Sequence, residues 1–222
     1  MYAAQKLLIA LIPAGYLLGS IPFGLIVGKA HGVDPRKGGS GNIGATNVGR
    51  LLGRKFFWLV FVLDLLKGLS PTLAGALVLG RNPGTPLDWA TYLLWLLVGF
   101  AAILGHMYSA FLRFKGGKGV ATSAGVFLGL FPYYTVPGAL AAGVFVLVFR
   151  TTRYVGLASI VGACVFPFAY VGVGLWRRWP ITGQQLPLLV FSFLAAGMIV
   201  VKHRGNIARL LAGTEPKAAG HG

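Results

Sequence analysis

The sequence predicts an all-α integral membrane protein: seven transmembrane helices, a short helical hairpin among them, and its polar loops on the cytoplasmic side. Three observations predict it. Mean hydropathy is +0.75, and 56% of the residues are hydrophobic while only 11% are charged, roughly half the charge of an ordinary soluble domain. Apolar runs recur near the roughly 20 residues that cross a bilayer. The basic residues, finally, are shared unequally between the connecting segments, as the positive-inside rule requires.

The helices are expected at 5–28, 55–80, 88–110, 119–132, 134–149, 154–176 and 184–202. The first holds the run Leu7–Val27, longer than the core of a secretory signal, and is read as a retained span. The second carries Asp64 and Lys67 three residues apart. Both are costly in lipid and most simply neutralise each other, so they are read as structural support. The third, sixth and seventh are continuous runs of Leu, Val, Phe and Ala. The middle pair is ambiguous: Val120–Phe131 is too short to cross upright, and Pro132 and Pro137 interrupt the run to Phe149. One bent crossing would make six spans, a short hairpin seven.

Charge decides between them. Seven spans with the N-terminus outside and the C-terminus cytoplasmic put Lys29, Arg36, Lys37, Arg50, Arg54, Lys55, Arg113, Lys115, Lys118, Arg150, Arg153, Lys202, Arg204, Arg209 and Lys217 inside. Only Lys6, Arg81, Arg177 and Arg178 fall outside. Six spans would exchange the C-terminal charges for two arginines. Residues 1–222 read as a single domain, with 215–222 a short tail. The one cysteine, Cys164, permits neither a disulfide nor a cysteine-based zinc site.

The formal charge is +16, from 20 Lys+Arg against 4 Asp+Glu. On a soluble protein this would suggest nucleic acid. Here it reads as loops facing an anionic leaflet, or as a site for anionic substrates, and no nucleic-acid partner is expected.

Three polar segments stand out, and seven spans place all of them on the cytoplasmic side, where they can share one site. The first is G-G-S-G-N-I-G-A-T-N-V-G-R at 38–50. It satisfies G-x-G-x-x-G, but a dinucleotide fingerprint follows a strand, and here a transmembrane helix precedes it. What it offers is hydrogen-bonding side chains (Ser40, Asn42, Thr46, Asn47, Arg50) on backbone that a ligand can approach closely. The second is R-F-K-G-G-K-G-V-A-T at 113–122. Leu112 and Gly119 break the Walker A pattern. Even so, Gly116, Gly117 and Gly119 at a helix start, with Lys118 and Lys115, suit a phosphate: unpaired N–H groups and the positive dipole end attract anions. The third, H-R-G-N-I-A-R-L-L-A-G-T-E at 203–215, is expected to continue the last span, with His203 and Asn206 on one face and Gly213 as a C-cap. His106 reads as a hydrogen-bonded interface residue. His31 and His221 carry no signal.

Absences narrow the chemistry. The acids, at 34, 64, 88 and 215, are too scattered for a magnesium cluster. Neither a D-x-x-D pattern nor an H-x-x-x-x-D dyad occurs. No metal and no cofactor is implied.

With G-S-G-N-I-G-A-T-N-V-G-R at 39–50, G-H-M-Y-S-A-F-L-R-F-K-G-G-K-G-V-A-T at 105–122 and H-R-G-N-I-A-R-L-L-A-G-T-E at 203–215, the chain resembles the bacterial acyl-phosphate:glycerol-3-phosphate acyltransferases, the PlsY family. D-L-L-K-G at 64–68 and G-S-I-P-F-G at 19–24 also look like the family. The resemblance spans nearly the whole chain. It implies an enzyme of the bacterial cytoplasmic (inner) membrane with seven spans and cytoplasmic active-site loops. Such an enzyme moves a fatty acyl group from acyl phosphate to the 1-hydroxyl of sn-glycerol 3-phosphate, giving lysophosphatidic acid and phosphate for phospholipid synthesis. The substrates and the lipid bilayer are the implied partners, and no obligatory protein partner is inferred.

The resemblance also implies roles. Gly116, Gly117, Lys118 and Gly119 bind acyl phosphate. Ser40, Asn42, Arg50 and His203 bind glycerol 3-phosphate. Ser40, Arg50, Lys118, His203 and Asn206 are essential to catalysis, and Glu215 supports the structure. The acceptor proton goes to His203 or to a substrate phosphate. The competing reading from another class is a transporter of a phosphorylated anion, which basic glycine loops at a membrane face would also fit.

Overall fold

The structure, a computed structural model, describes residues 3–80 and 87–218. Arg81 and His221 lie outside the described residues. Among those described, the chain forms ten α-helices, one 3-10 turn and no strand. They fall into two compact units, residues 1–82 with 94–130 and residues 83–93 with 131–222.

The first unit opens with α1 (Ala3–Ser20) and α2 (Phe23–Ala30). Pro22 has no N–H to continue the ladder, so the expected first span is a helix broken at 21–22, still long and apolar enough to cross as Ala3–Ala30. A loop leads to α3 (Ala45–Leu52). Gly53, at φ 99°, makes the sharp corner into α4 (Arg54–Val78). After α5 (Trp89–Met107) come a 3-10 turn (Ala110–Leu112) and the short α6 (Val120–Gly129).

Small residues set the helix spacing here, since lipid gives apolar side chains no reason to prefer one another. A β-carbon at Gly19 of α1 would overlap the Ala102 backbone of α5, and one at Gly125 of α6 would overlap the Leu65 carbonyl of α4. Trp95 Nε1 donates to the Thr72 carbonyl at 2.8 Å. In this way close backbone contact and buried hydrogen bonds do the work that apolar burial does in water.

The second unit contains α7 (Thr135–Thr152), α8 (Val155–Trp176), α9 (Leu186–Lys202) and α10 (Arg204–Leu211). Its interior is aromatic. Tyr134 is fully buried, meets Phe166 edge-on at 4.9 Å and donates its hydroxyl proton to the Leu188 carbonyl. Tyr170 donates to Gln185 Oε1 at 3.0 Å.

Among the described residues, five helical segments are long and apolar enough to cross a membrane, and the bent pair α9–α10 makes a sixth if it is one span. The chain is therefore a multi-pass helical membrane protein. The expected fourth span is α6, ten residues long and so about 15 Å, half of the roughly 30 Å hydrocarbon core. It is a separate helix from α7, with a turn at 130–134 between them.

The last span departs from expectation. It does not continue straight into the third motif: α9 and α10 meet at a 54° bend at His203. That residue's N–H still reaches the Ile199 carbonyl at 3.0 Å. Gly213 caps α10 as expected, at φ 69°.

Candidate active site

The loop before α3 is built around one side chain. Asn47, 2% exposed, donates through Nδ2 to the carbonyls of Pro35 (2.9 Å), Gly38 (3.1 Å) and Asn42 (2.8 Å). Its Oδ1 accepts from the Ser40 N–H at 2.8 Å. Asn42 Oδ1 accepts the Gly44 N–H at 2.8 Å, an Asx turn that delivers the chain to the N-terminus of α3. A β-carbon at Gly39 would overlap Asn47 Oδ1, and the Arg50 stem passes 3.7 Å from the same point. Ser40 on this loop and Arg50 in the last turn of α3 are exposed. Sequence reading counts Asn47 among several polar groups; as the hub of the loop it follows no spacing rule.

The second loop folds back on the end of α5. Gly116 and Gly117 donate their N–H groups to the carbonyls of Met107 (3.2 Å) and His106 (2.9 Å). This corrects the expectation that these two N–H groups are unpaired. The unpaired set moves one turn on: Gly119, at φ 86°, starts α6, whose first-turn N–H groups have no partner within the helix. The Thr122 and Ser123 hydroxyls in that turn are buried and make no hydrogen bond among the described residues.

Beneath this turn lies an ionic cluster. Lys67 Nζ is 2.9 Å from Asp64 Oδ1, both side chains nearly fully buried. It also donates to the Ile21 carbonyl at 2.8 Å, an acceptor exposed by the break before Pro22, and lies 5.6 Å from the centre of the Phe23 ring. His106 Nδ1 lies 3.7 Å from the same Asp64 oxygen. The expected Asp64–Lys67 pair is present; the structure adds His106 to it.

In the second unit, His203 and Asn206 are buried. His203 Nδ1 is 2.7 Å from the Ile199 carbonyl. A carbonyl only accepts, so Nδ1 carries the proton and a neutral ring keeps its lone pair at Nε2. Asn206 Nδ2 donates to Glu215 Oε1 at 2.5 Å, and Arg209 Nε to Glu215 Oε2 at 2.8 Å. Glu215 thus holds Arg209 and fixes the amide orientation of Asn206. The tail beyond it is tied down as far as Ala218, whose N–H reaches the Arg153 carbonyl at 2.9 Å. Among the described residues, no group of three His, Cys, Asp or Glu side chains converges as a metal site would need. The groove lined by Leu140, Val144, Ile160, Cys164 and Phe168, about 500 Å³, is apolar and offers no polar chemistry.

The first unit thus holds two hydrogen-bonded glycine loops, and the second holds a buried His–Asn pair braced by Glu215. Residues 9–213 match the family model described as glycerol-3-phosphate acyltransferase. The chain belongs to the glycerol-3-phosphate acyltransferase family. Members of that name from Geotalea daltonii and Geobacter sulfurreducens are 48% and 46% identical to it, over 93% and 92% of this chain and 95% and 94% of theirs. One from Bacillus cytotoxicus is 43% identical over 94% of this chain and 93% of its own. Among solved structures, the crystal structure of PlsY, an integral membrane glycerol 3-phosphate acyltransferase, in its glycerol 3-phosphate form matches with a TM-score of 0.79. Identity is 38%, and the match covers 96% of both chains. The lysophosphatidic acid form matches at 0.77 and 38%, over 95% and 94%. The matched range thus takes in the first two motifs whole and the third as far as Gly213.

Proposed function

We propose that this protein is the acyl-phosphate-dependent glycerol-3-phosphate 1-O-acyltransferase of a bacterial cytoplasmic membrane. In this reading it crosses seven times, with α6 as a short span, its N-terminus outside and its C-terminus and motifs inside. The observation that carries the reading is the whole-length match to PlsY in its glycerol 3-phosphate and lysophosphatidic acid forms. The family motifs supply the acyl-phosphate donor.

The chemistry follows from the substrates. An acyl phosphate is a mixed anhydride, already activated, and needs no covalent enzyme intermediate. The 1-hydroxyl oxygen attacks the acyl carbonyl carbon, the bond from that carbon to the phosphate oxygen breaks, and phosphate leaves with the electron pair. The protein supplies positioning and stabilises charge on the carbonyl oxygen and the leaving phosphate. Lys118, Gly119 and the first turn of α6 take the donor phosphate, and the orphaned Thr122 and Ser123 hydroxyls support an anion there. Gly116 and Gly117, their N–H groups spent on α5 and the space of their missing β-carbons filled by His106, hold the turn against that helix. The family motifs assign glycerol 3-phosphate to Ser40, Asn42 and Arg50 and, separately, to His203. Asn206 faces the developing charge. The hydroxyl proton passes to His203 Nε2, which the Ile199 bond keeps as the basic nitrogen, or to a phosphate oxygen.

The test is direct. Purified protein is given palmitoyl phosphate and glycerol 3-phosphate, and phosphate release is measured against lysophosphatidic acid formed, with Lys118→Ala alongside. Equal stoichiometry that collapses in the variant is expected, with no turnover on palmitoyl-CoA. Binding of glycerol 3-phosphate without turnover would favour the transporter instead, and unimpaired Lys118→Ala would remove the turn from the site.

A further inference from the structure

The G-G-K-G turn rests on His106 in two ways. The His106 carbonyl accepts the Gly117 N–H at 2.9 Å, and the next carbonyl, of Met107, accepts the Gly116 N–H at 3.2 Å. The ring itself lies against Gly117, where an added β-carbon would overlap Nε2. On its other side the ring faces Asp64, 3.7 Å from Nδ1. Asp64 is in turn fixed by Lys67 at 2.9 Å, and Lys67 by the Ile21 carbonyl at 2.8 Å.

The chain of contacts extends to the first loop as well. Lys67 lies over Phe23, and the next residue, Gly24, is so close to the loop that a β-carbon there would overlap the Ile43 carbonyl. Both glycine loops of this unit are therefore referenced to one buried group. Three ionisable side chains inside apolar helices are costly, and a leucine or phenylalanine could fill the same space without that cost. What an apolar residue could not supply is a ring held at a fixed angle by a fixed charge.

We propose that His106, seated by the Asp64–Lys67 pair, is a positioning residue that sets the backbone of the phosphate-binding turn. This rests on the reading of residues 116–119 as that turn. His106 touches no reacting atom; it acts through Gly117, and Lys118 inherits the placement. The geometry requires Gly117 to lack a β-carbon while the ring is present, and only then.

A double-mutant cycle tests this, using the full-length protein in lipid nanodiscs with palmitoyl phosphate and glycerol 3-phosphate. Lys118→Ala first identifies the substrate whose KM the turn controls. His106→Phe, which keeps a ring but loses the Asp64 contact, should raise that same KM about tenfold or more with a smaller change in kcat. Gly117→Ala should do likewise, and in the cycle of His106→Ala, Gly117→Ala and His106→Ala/Gly117→Ala the double should be no worse than the worse of its two singles, because the overlap has been removed. Additive losses, or a His106→Phe protein with that KM unchanged, would overturn the inference while leaving the turn's role intact. A Lys118→Ala protein with both KM values unchanged would instead sink the turn reading, and the inference with it. Should the His106 variants fail to fold, Gly117→Ala decides alone: it leaves the ionic cluster whole, and an unmoved KM counts against the proposal.

Discussion

Three ion pairs in this molecule share one chemistry and differ in burial. Asp64–Lys67 is 3% and 2% exposed, Glu215–Arg209 is 6% and 37%, and Asp34–Arg36 is 17% and 47%. Their separations are alike: 2.9, 2.8 and 2.6 Å. The tightest is the most exposed, so distance does not rank them. Burial does, because the cost of leaving one partner behind grows as water is removed, while an exposed pair is screened and worth little. The pair beneath the glycine turn should behave as a keystone, the pair beside Asn206 as a brace, and the pair in the loop before Ser40 as a local clasp.

The largest effect is expected at the keystone. Lys67→Met strands Asp64 and leaves the Ile21 carbonyl only the Phe23 N–H, and should destabilise the protein by about 3–5 kcal/mol. Asp64→Asn/Lys67→Met should recover part of the loss, since no unpaired charge is left. Denaturation midpoints in detergent for the single and double variants check this. Equal losses in both would mean that the packing matters and the charge does not.

That pair was legible in the sequence because two ionisable residues three apart in an apolar run leave few alternatives. Its third member was not. His106 belongs to a different helix, and periodicity within one helix says nothing about which other helix it meets. The same limit hid Asn47, whose four partners are backbone groups that only the folded loop brings together. The long apolar helices were legible from hydropathy, but α6 is too short to count among them, and hydropathy is blind to the break at Pro22 within an unbroken apolar run and to the 54° bend at His203. The three motifs could be read as chemistry from residue types alone. Which glycine N–H groups are already used could not, because that depends on the return of the chain to α5.

Asn47 offers a neutral counterpart to the keystone. Its amide meets three carbonyls and the Ser40 N–H, and Asn47→Ala should cost about 4 kcal/mol at roughly 1 kcal/mol per lost bond. Activity should fall more than stability suggests, because Ser40 loses its anchor. Asn47→Asp should be no better: it keeps the acceptor for Ser40 but faces a carboxylate with three carbonyl oxygens. Thermal unfolding and initial rates at saturating acyl phosphate separate the two effects. An Asn47→Asp protein near wild-type in both would break the account of the loop.

The brace should give less. Glu215→Gln keeps one oxygen as the acceptor for Asn206 but turns an NH2 toward Arg209 Nε, so it loses the charge-assisted bond to that partly exposed arginine, and about 1 kcal/mol is expected after screening. Glu215→Ala also removes the carboxylate acceptor of the buried Asn206 amide, at about 1–3 kcal/mol. The ratio of the two variants' rates therefore reports the value of the amide's orientation. If they lose activity equally, the charge on Arg209 is what matters and Asn206 needs no brace.

The smallest effect belongs to the clasp, and its sign can be worked out. Arg36 donates Nε to Asp34 Oδ1 at 2.9 Å and Nη2 to Oδ2 at 2.6 Å, with its backbone N–H on Oδ1 at 3.0 Å. These bonds hold the Asp34 carboxyl well below the usual carboxylate range. A carboxylate whose folded pKa is depressed contributes its stability above its unfolded pKa of about 3.9 and loses it as pH falls through the lower folded value. The gap in melting temperature between wild-type and Asp34→Asn should therefore be small and constant above about pH 5, close only on the acidic side, and be reduced by added salt. The rate of acyl transfer above that pH should not respond to it. A gap that widens toward neutral pH, or one indifferent to salt, would place this pair with the buried ones and undo the ranking by burial.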